Sequence, residues 1–342
     1  MTAAEPHSEL DALKRSAPLP QGWEIADSFF SVAEVPGLCI SLVGLLARAA
    51  DGREALGSAG ARGSAPVSRA YFELFERIAV LEALATPRAR YAVGGPEGEA
   101  GSLGFEDVFP EPPPNAPFKY SRSNGVAAGP SWTAACDSAF AELIERDRLL
   151  RAWYGQGVPV RAPLPEDEAF RALGACYELE AYSFPPQPAA GSGLAVAAVF
   201  GFPKLAEAPL IFGSAAGSTL SLALGGAQRE CLQRWGFLWG ERIPSEAPSF
   251  APTADYHQEL YLWPEMHAPL RRFLAGEHAG LVTLEGLRGQ SEGPCRFVDL
   301  SLAQGPVVAR AVARAALPLT FGRGHPFAQG ALPESLSVHP IA

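Results

Sequence analysis

Glutamates three residues apart, with an arginine directly after the second, occur twice in this chain, as Glu73-Leu-Phe-Glu76-Arg77 and Glu142-Leu-Ile-Glu145-Arg146. On a helix, residues i and i+3 share a face, so each run presents two carboxylates side by side with a guanidinium close by. Two such faces brought together make a nest of four carboxylates rimmed by two arginines. A partly buried nest of this kind needs counter-charge, and Mg2+ carrying a polyphosphate supplies it to ligands of the hard-oxygen type that Mg2+ prefers. Either run alone is more often a solvated helix face whose ion pairs contribute roughly 0.3 kcal/mol each. The repetition is what points to a site.

The elements that must position these runs are legible around them. Residues 22–46 read as a β-hairpin turning near Pro36-Gly37. A small-residue loop at 57–64 leads into a helix at 66–85, which carries the first run and stops at Thr86-Pro87. Residues 87–122, with Pro112-Pro113-Pro114 at their centre, read as a long Pro/Gly-rich loop, either disordered or a lid. The segment Ser123-Asn-Gly-Val-Ala-Ala-Gly129, whose glycines permit close approach of a ligand, runs into a helix at 131–154 that carries the second run. Trp132, Cys136, Ala139, Phe140 and Leu143 form its apolar face. Strands are expected at 193–201 and 208–213, then a helix at 218–239 that contains Gly225 and Gly226. Glycines inside a helix cost about 1 kcal/mol each against alanine, which points to close packing against backbone or ligand. A helix at 258–275 and strands at 279–284, 295–301 and 306–313 follow, and the tail from Pro318 shows no regular pattern. Residues 1–20 read as an N-terminal extension and 21–342 as one α/β domain.

Composition narrows the function classes. The 342 residues are 48% hydrophobic and 19% charged, a globular composition, and the net charge of −10 argues against a nucleic-acid face. Only Lys14, Lys119 and Lys204 are lysines, and none follows a glycine, so a Walker A loop is excluded. Five scattered cysteines without a Cys-x-x-Cys pair indicate neither a disulfide framework nor a zinc site, and the six histidines lack metal-ligand spacing and read as packing or surface residues. The acidic start and the interrupted apolar stretch at 29–47 give no signal peptide and no membrane span, so the expected location is cytoplasmic.

The motifs, taken in order, resemble the YcaO family. Ser123-Asn-Gly-Val-Ala-Ala-Gly129 followed by Ala139-Phe-Ala-Glu-Leu-Ile-Glu-Arg-Asp147 is similar to the family's central signature. The Arg62-Gly63 loop before Glu73-x-x-Glu76-Arg77 resembles its first motif, and Ala223-Leu-x-x-Ala227-x-x-Glu230-x-x-Gln233 its third. Val307-Val-Ala-Arg-Ala311, Pro318-Leu-Thr-Phe-Gly322 and His339-Pro340 resemble its closing elements, so the likeness runs over residues 20–341.

The resemblance implies a single YcaO-type ATP-binding α/β domain with mixed sheets and helices. Glu73, Glu76, Glu142 and Glu145 would then hold Mg2+, with Arg62, Arg77, Ser123, Asn124, Arg146, Glu230 and Gln233 serving ATP. It further implies phosphorylation of a backbone amide oxygen in a ribosomally made precursor peptide after attack by a side chain, sulfide or amine, giving azoline, thioamide or amidine. A partner that presents the leader peptide or delivers sulfur, and a homodimer, belong to the same implication. Four positions depart from the family pattern: Ala70 stands for a Ser, Ala134 for a Glu, Gly226 for an Arg and Arg62 for a Lys. The chain also closes on Ser337-Val-His-Pro-Ile-Ala342 where azoline-forming members often carry a proline-rich tail. These departures leave open a second expectation, a catalytically silent relative that binds peptide or scaffolds a complex.

Overall fold

The computed structural model describes residues 4–94, 101–185, 193–284, 295–330 and 332–341. β1 (Trp23–Val35) and β2 (Leu38–Ala49) form the expected hairpin, turning at Gly37, whose φ of 83° suits glycine. β3 (Glu54–Arg62) pairs with β2 and completes an antiparallel sheet. The stretch expected as a loop at 57–64 is therefore strand as far as Arg62. Its small residues serve packing, not flexibility. A Cβ on Gly57 would lie 2.2 Å from the Ala70 carbonyl oxygen and 2.6 Å from the Leu74 nitrogen, so glycine lets α2 (Val67–Ala85) settle directly on the strand.

α2 buries Val67, Ala70, Tyr71, Leu74, Phe75 and Ile78 against Val43, Leu45 and Ala47 of β2. Each large side chain so buried stabilises by roughly 1.5–3 kcal/mol, several times a surface ion pair, so the apolar stripe and not the glutamates fixes this helix. Within the N-terminal 1–20, α1 (Ala4–Ser16) docks on the same cluster through Leu10, and the Tyr71 hydroxyl donates to the Ala17 carbonyl at 2.7 Å.

The segment 87–122 is not one long loop. It holds β4 (Arg90–Gly94), β5 (Gly101–Gly104), the single-turn α3 (Phe105–Val108) and β6 (Phe118–Tyr120), while residues 95–100 lie outside the described residues. The strands are too short for their alternation to rise above the surrounding prolines, yet Tyr91, Val93 and Leu103 are buried. β7 (Val126–Gly129), β13 (Arg296–Asp299) and β14 (Val307–Val312) join them in the order β5-β4-β13-β14-β7. α4 (Trp132–Trp153) covers one face with Cys136, Ala139 and Leu143, capped by the Ser131 hydroxyl, and Ala79 and Val80 of α2 pack on the other.

A third sheet runs β11-β10-β9-β8. Its strands are β8 (Val160–Ala162), β9 (Tyr177–Phe184), β10 (Ala195–Pro203) and β11 (Ile211–Gly217), with α5 (Glu168–Leu173) between the first two. Residues alternate along β10: Ala197 and Val199 meet α6 (Leu220–Leu238), while Val196, Ala198 and Phe200 join the cluster of α4, α7 (Ala254–Leu262) and α8 (His267–Leu274). The single helix expected at 258–275 is two, because Pro264 lacks the amide hydrogen needed to continue it. In the closing stretch, β12 (Val282–Leu284) pairs with β16 (Ala328–Gly330), and β15 (Thr320–Gly322) with β6.

The tail expected to lack pattern is thus pinned, with Leu336, Val338 and Ile341 buried. Histidines do the pinning. His257 Nε2 accepts from the Gly322 amide at 2.8 Å, which leaves Nδ1 to donate to the Ile341 carbonyl at 3.2 Å. Burial pushes His257 down to about 4, so it is neutral in the fold. The α/β architecture is as expected, with eight α-helices and every ladder antiparallel among the described residues, and no helix there is long and apolar enough to cross a membrane.

Candidate functional site

Three sheet edges converge on one place. β3, β7 and β11 are each the outermost strand of their sheets, so each presents backbone N–H groups with no neighbouring strand to accept them. Motif side chains accept them instead. Ser58 N–H on β3 donates to Glu73 Oε2 at 3.0 Å, and Gly60 N–H to Gln233 Oε1 at 3.1 Å. Ala128 N–H on β7 donates to Glu76 Oε1 at 2.7 Å, and Ser214 N–H on β11 to Glu230 Oε2 at 3.2 Å. Each carboxylate is aimed by a fixed backbone donor that occupies one oxygen. The helices supply the acids and the strand edges orient them.

The convergence forms a cavity of about 1490 Å³, larger than a drug-sized ligand requires. Glu73, Glu76, Arg77, Arg146, Glu230 and Gln233 line it. Glu142 and Glu145 sit one layer back. Glu145 is held by Ser214 Oγ at 2.6 Å and by Arg146 Nη1 at 3.2 Å, and Glu142 by the Gly125 backbone. Arg77 spans to Glu73 at 3.3 Å and to the Ser123 hydroxyl at 2.7 Å. Asn124 is buried beside it with Oδ1 unsatisfied. Arg62 does not join them. It is exposed and pairs with Asp167 at 3.0 Å, away from the cavity lining.

Sequence reasoning missed three kinds of contributor. Backbone donors such as Ser58, Ala128 and Ser214 leave no residue-type signal. Arg234 stacks on Phe212 at 3.9 Å and lines the cavity, and Arg310 lies against Phe109 at 4.6 Å, near Glu142. For these two a signal existed, since a charged residue inside an apolar strand run (Val307-Val-Ala-Arg310-Ala) or next to a motif glutamine is uncommon without a partner. The cavity wall at Glu241, Glu246, Asp255 and Glu259 carries no motif.

Carboxylates and guanidiniums interleave here. Burial pushes Glu76 up to about 8, with Glu142 and Glu73 adding repulsion. Burial likewise lifts Glu142 to about 7, against the pull of Arg146. Glu230 is raised by burial and by Glu145, although its exposure to the cavity tempers the effect. Unfolded, such groups titrate near 4.5. Between pH 4.5 and 8 the folded chain therefore holds more protons than the unfolded one, and its stability falls as pH rises through that window. His257 works the other way, but only below its ordinary value of 6.5. Thermal melts from pH 6.8 to 8.5 are thus expected to show a falling melting temperature, with a flatter slope for Glu76→Gln.

The buried Nε atoms of Arg146 and Arg234 have no hydrogen-bond partner, and Arg234 is close enough to Arg146 and Glu230 to feel both charges. Among the described residues no three acidic, histidine or cysteine side chains converge on one point as a ready metal cage. Mg2+ commonly takes one or two carboxylates and completes its shell with phosphate oxygens and water. Five glutamates interleaved with four arginines suit a near-neutral Mg2+–triphosphate assembly better than either a bare cation or a bare anion. The residues present fit the group.

The profile of a family described as YcaO cyclodehydratase, ATP- and Mg2+-binding, matches residues 104–308, more than half of the chain. The chain belongs to the YcaO family. Its cofactors are ATP and Mg2+. Among solved structures, this YcaO protein resembles the YcaO protein from Methanopyrus kandleri bound with AMPPCP and Mg2+, with a TM-score of 0.62 and 19% identity over 91% of both chains. It also resembles a heterocyclase in complex with substrate and cofactor, with a TM-score of 0.57 and 14% identity over 92% of this chain and 52% of that one. A chain of the E. coli microcin synthetase McbBCD complex gives 0.56 and 13%, covering 85% of this chain and 88% of that one. At such identities these likenesses establish the fold. No curated protein sequence matches the chain.

Proposed function

We propose that this YcaO protein uses Mg-ATP to activate a backbone amide of a ribosomally made precursor peptide, giving an azoline or a thioamide. The observation that carries the reading is the convergence of Glu73, Glu76, Glu142, Glu145 and Glu230, of which the three that line the cavity, Glu73, Glu76 and Glu230, are each aimed by an edge-strand amide. In this reading Glu73, Glu76, Glu142 and Glu145 serve Mg2+, with Glu230 and Gln233 completing the nucleotide face. Arg77, Arg146 and Arg234 offer donors to phosphate, and Ser123 and Asn124 lie at the approach. Arg62, committed to Asp167, has no part in it. Bound there, Mg-ATP supplies the phosphoryl group that makes the amide oxygen a leaving group.

The chain's own contribution is to position and to neutralise. Guanidiniums fixed by Ser123, Glu145 and the Phe212 ring hold donors in place before charge develops, and such preorganisation is where phosphoryl-transfer sites derive most of their rate. The cavity exceeds a nucleotide's needs and leaves room for a peptide against the 241–259 wall. A cytoplasmic location, a partner that presents the leader or delivers sulfur, and a homodimer belong to the same reading.

The departures from the family pattern favour the silent-relative alternative less than the sequence suggests. Ala70 is sealed under β3, and a Cβ on Gly226 would lie 2.5 Å from that of Ala215, so both small residues are packing choices. The deciding experiment is phosphate release from Mg-ATP with a Cys-, Ser- and Thr-containing precursor peptide, read with mass spectrometry of the peptide. Peptide-dependent release with loss of water (azoline) or exchange of oxygen for sulfur (thioamide, with a sulfide source) is expected. Peptide binding without release under either condition would instead establish the scaffold.

A further inference from the structure

We propose that Ser214 is the positioning residue that locks the α4 and α6 carboxylates into one unit for Mg2+-dependent nucleotide binding. The inference rests on the Mg-ATP reading of the site. Ser214 is buried on β11 and bonds an acid from each helix. Its hydroxyl donates to Glu145 Oε1 at 2.6 Å and its amide to Glu230 Oε2 at 3.2 Å. Each of these hydrogen bonds occupies only one oxygen of its carboxylate.

The platform itself is fixed from both sides. At Gly213 an added Cβ would lie 2.2 Å from the Cys231 nitrogen and 2.4 Å from the Ala227 carbonyl oxygen. At Gly226 it would lie 2.5 Å from the Ala215 Cβ. The two residues flanking Ser214 are thus packed backbone-close onto α6, and Ser214 cannot shift along that helix without a clash. A hydroxyl in so fixed a place sets where Glu145 points, and through Arg146, bonded to the same Glu145 oxygen, where a guanidinium faces the cavity. Hydrogen bonds that orient metal-binding side chains commonly change metal affinity about 10–100-fold when removed.

The test is calorimetric titration of ATP into each protein with and without Mg2+, with the ratio of the two affinities as the readout. Ser214→Ala is expected to lower the Mg2+ enhancement by about 10-fold or more, and Ser214→Thr, which keeps the hydroxyl on a strand-favouring residue, to restore it. Ser214→Cys, similar in size but a weak donor, should behave like alanine. If Ser214→Ala does not fold, the Thr and Cys pair decides alone. A purely structural serine would lower the melting temperature of Ser214→Ala while leaving the enhancement at its wild-type value, and that result overturns the inference. Threonine binding no better than cysteine overturns it as well. Wild-type protein without Mg2+-dependent ATP binding overturns the nucleotide reading and this inference with it, whereas wild-type binding matched by Ser214→Ala removes the inference alone.

Discussion

Arg146→Ala is expected to lower stability by about 3 kcal/mol and to abolish detectable Mg-ATP binding. Arg146 pairs with Glu145 at 3.2 Å and feels Glu142 and Glu230, so three acids act on its guanidinium. Removing one partner of a buried charge pair leaves the other uncompensated, which costs far more than the pair itself contributes. The acids can relieve part of this by taking up protons, so the loss should be smaller at pH 6 than at pH 8. Urea denaturation at the two pH values checks the sign. Arg146→Lys keeps the charge without the planar fork, and is expected to recover stability better than it recovers binding.

Glu76→Gln is expected to separate fold from function. Burial raises the Glu76 carboxyl to about 8, so in the metal-free protein near pH 7 it is largely neutral already. Glutamine is a neutral near-isostere whose carbonyl oxygen can still accept from Ala128 N–H. Stability should therefore be unchanged or slightly higher, most visibly at pH 8.5, where the wild type must ionise the group. Nucleotide binding should fall by about 100-fold, since a cation loses a charged ligand and gains nothing. Melting curves and titration calorimetry on the same preparations measure both halves. A variant that lost stability and binding in parallel would mean that Glu76 is a structural acid.

The contrast between these two residues shows what was legible in the sequence. Side-chain patterns spoke clearly: the hairpin at 22–46, the helices carrying both Glu-x-x-Glu-Arg runs, and the helix of Glu230 and Gln233 all stand where periodicity and caps put them. Residues 57–64 misled because glycine and alanine look alike in a flexible loop and in a strand that a helix must approach closely. Residues 87–122 misled because proline density hid strands of three to five residues. Arg62 stood next to the first motif in sequence, but β3 carries it to Asp167 instead. The deeper organisation of the site was not written in residue types at all. It lies in three strand edges whose amide hydrogens need acceptors, and only the assembled sheets reveal which edges meet.

The most direct measurement is calorimetric titration of ATP into the wild-type chain with and without Mg2+, in buffers of different ionisation enthalpy. Carboxylates with raised pKa values must give up protons before they can ligate a cation. Tight binding only with Mg2+, accompanied by proton release that shrinks in Glu76→Gln, is the predicted result. Absence of binding, or binding indifferent to Mg2+ and without proton release, would contradict it.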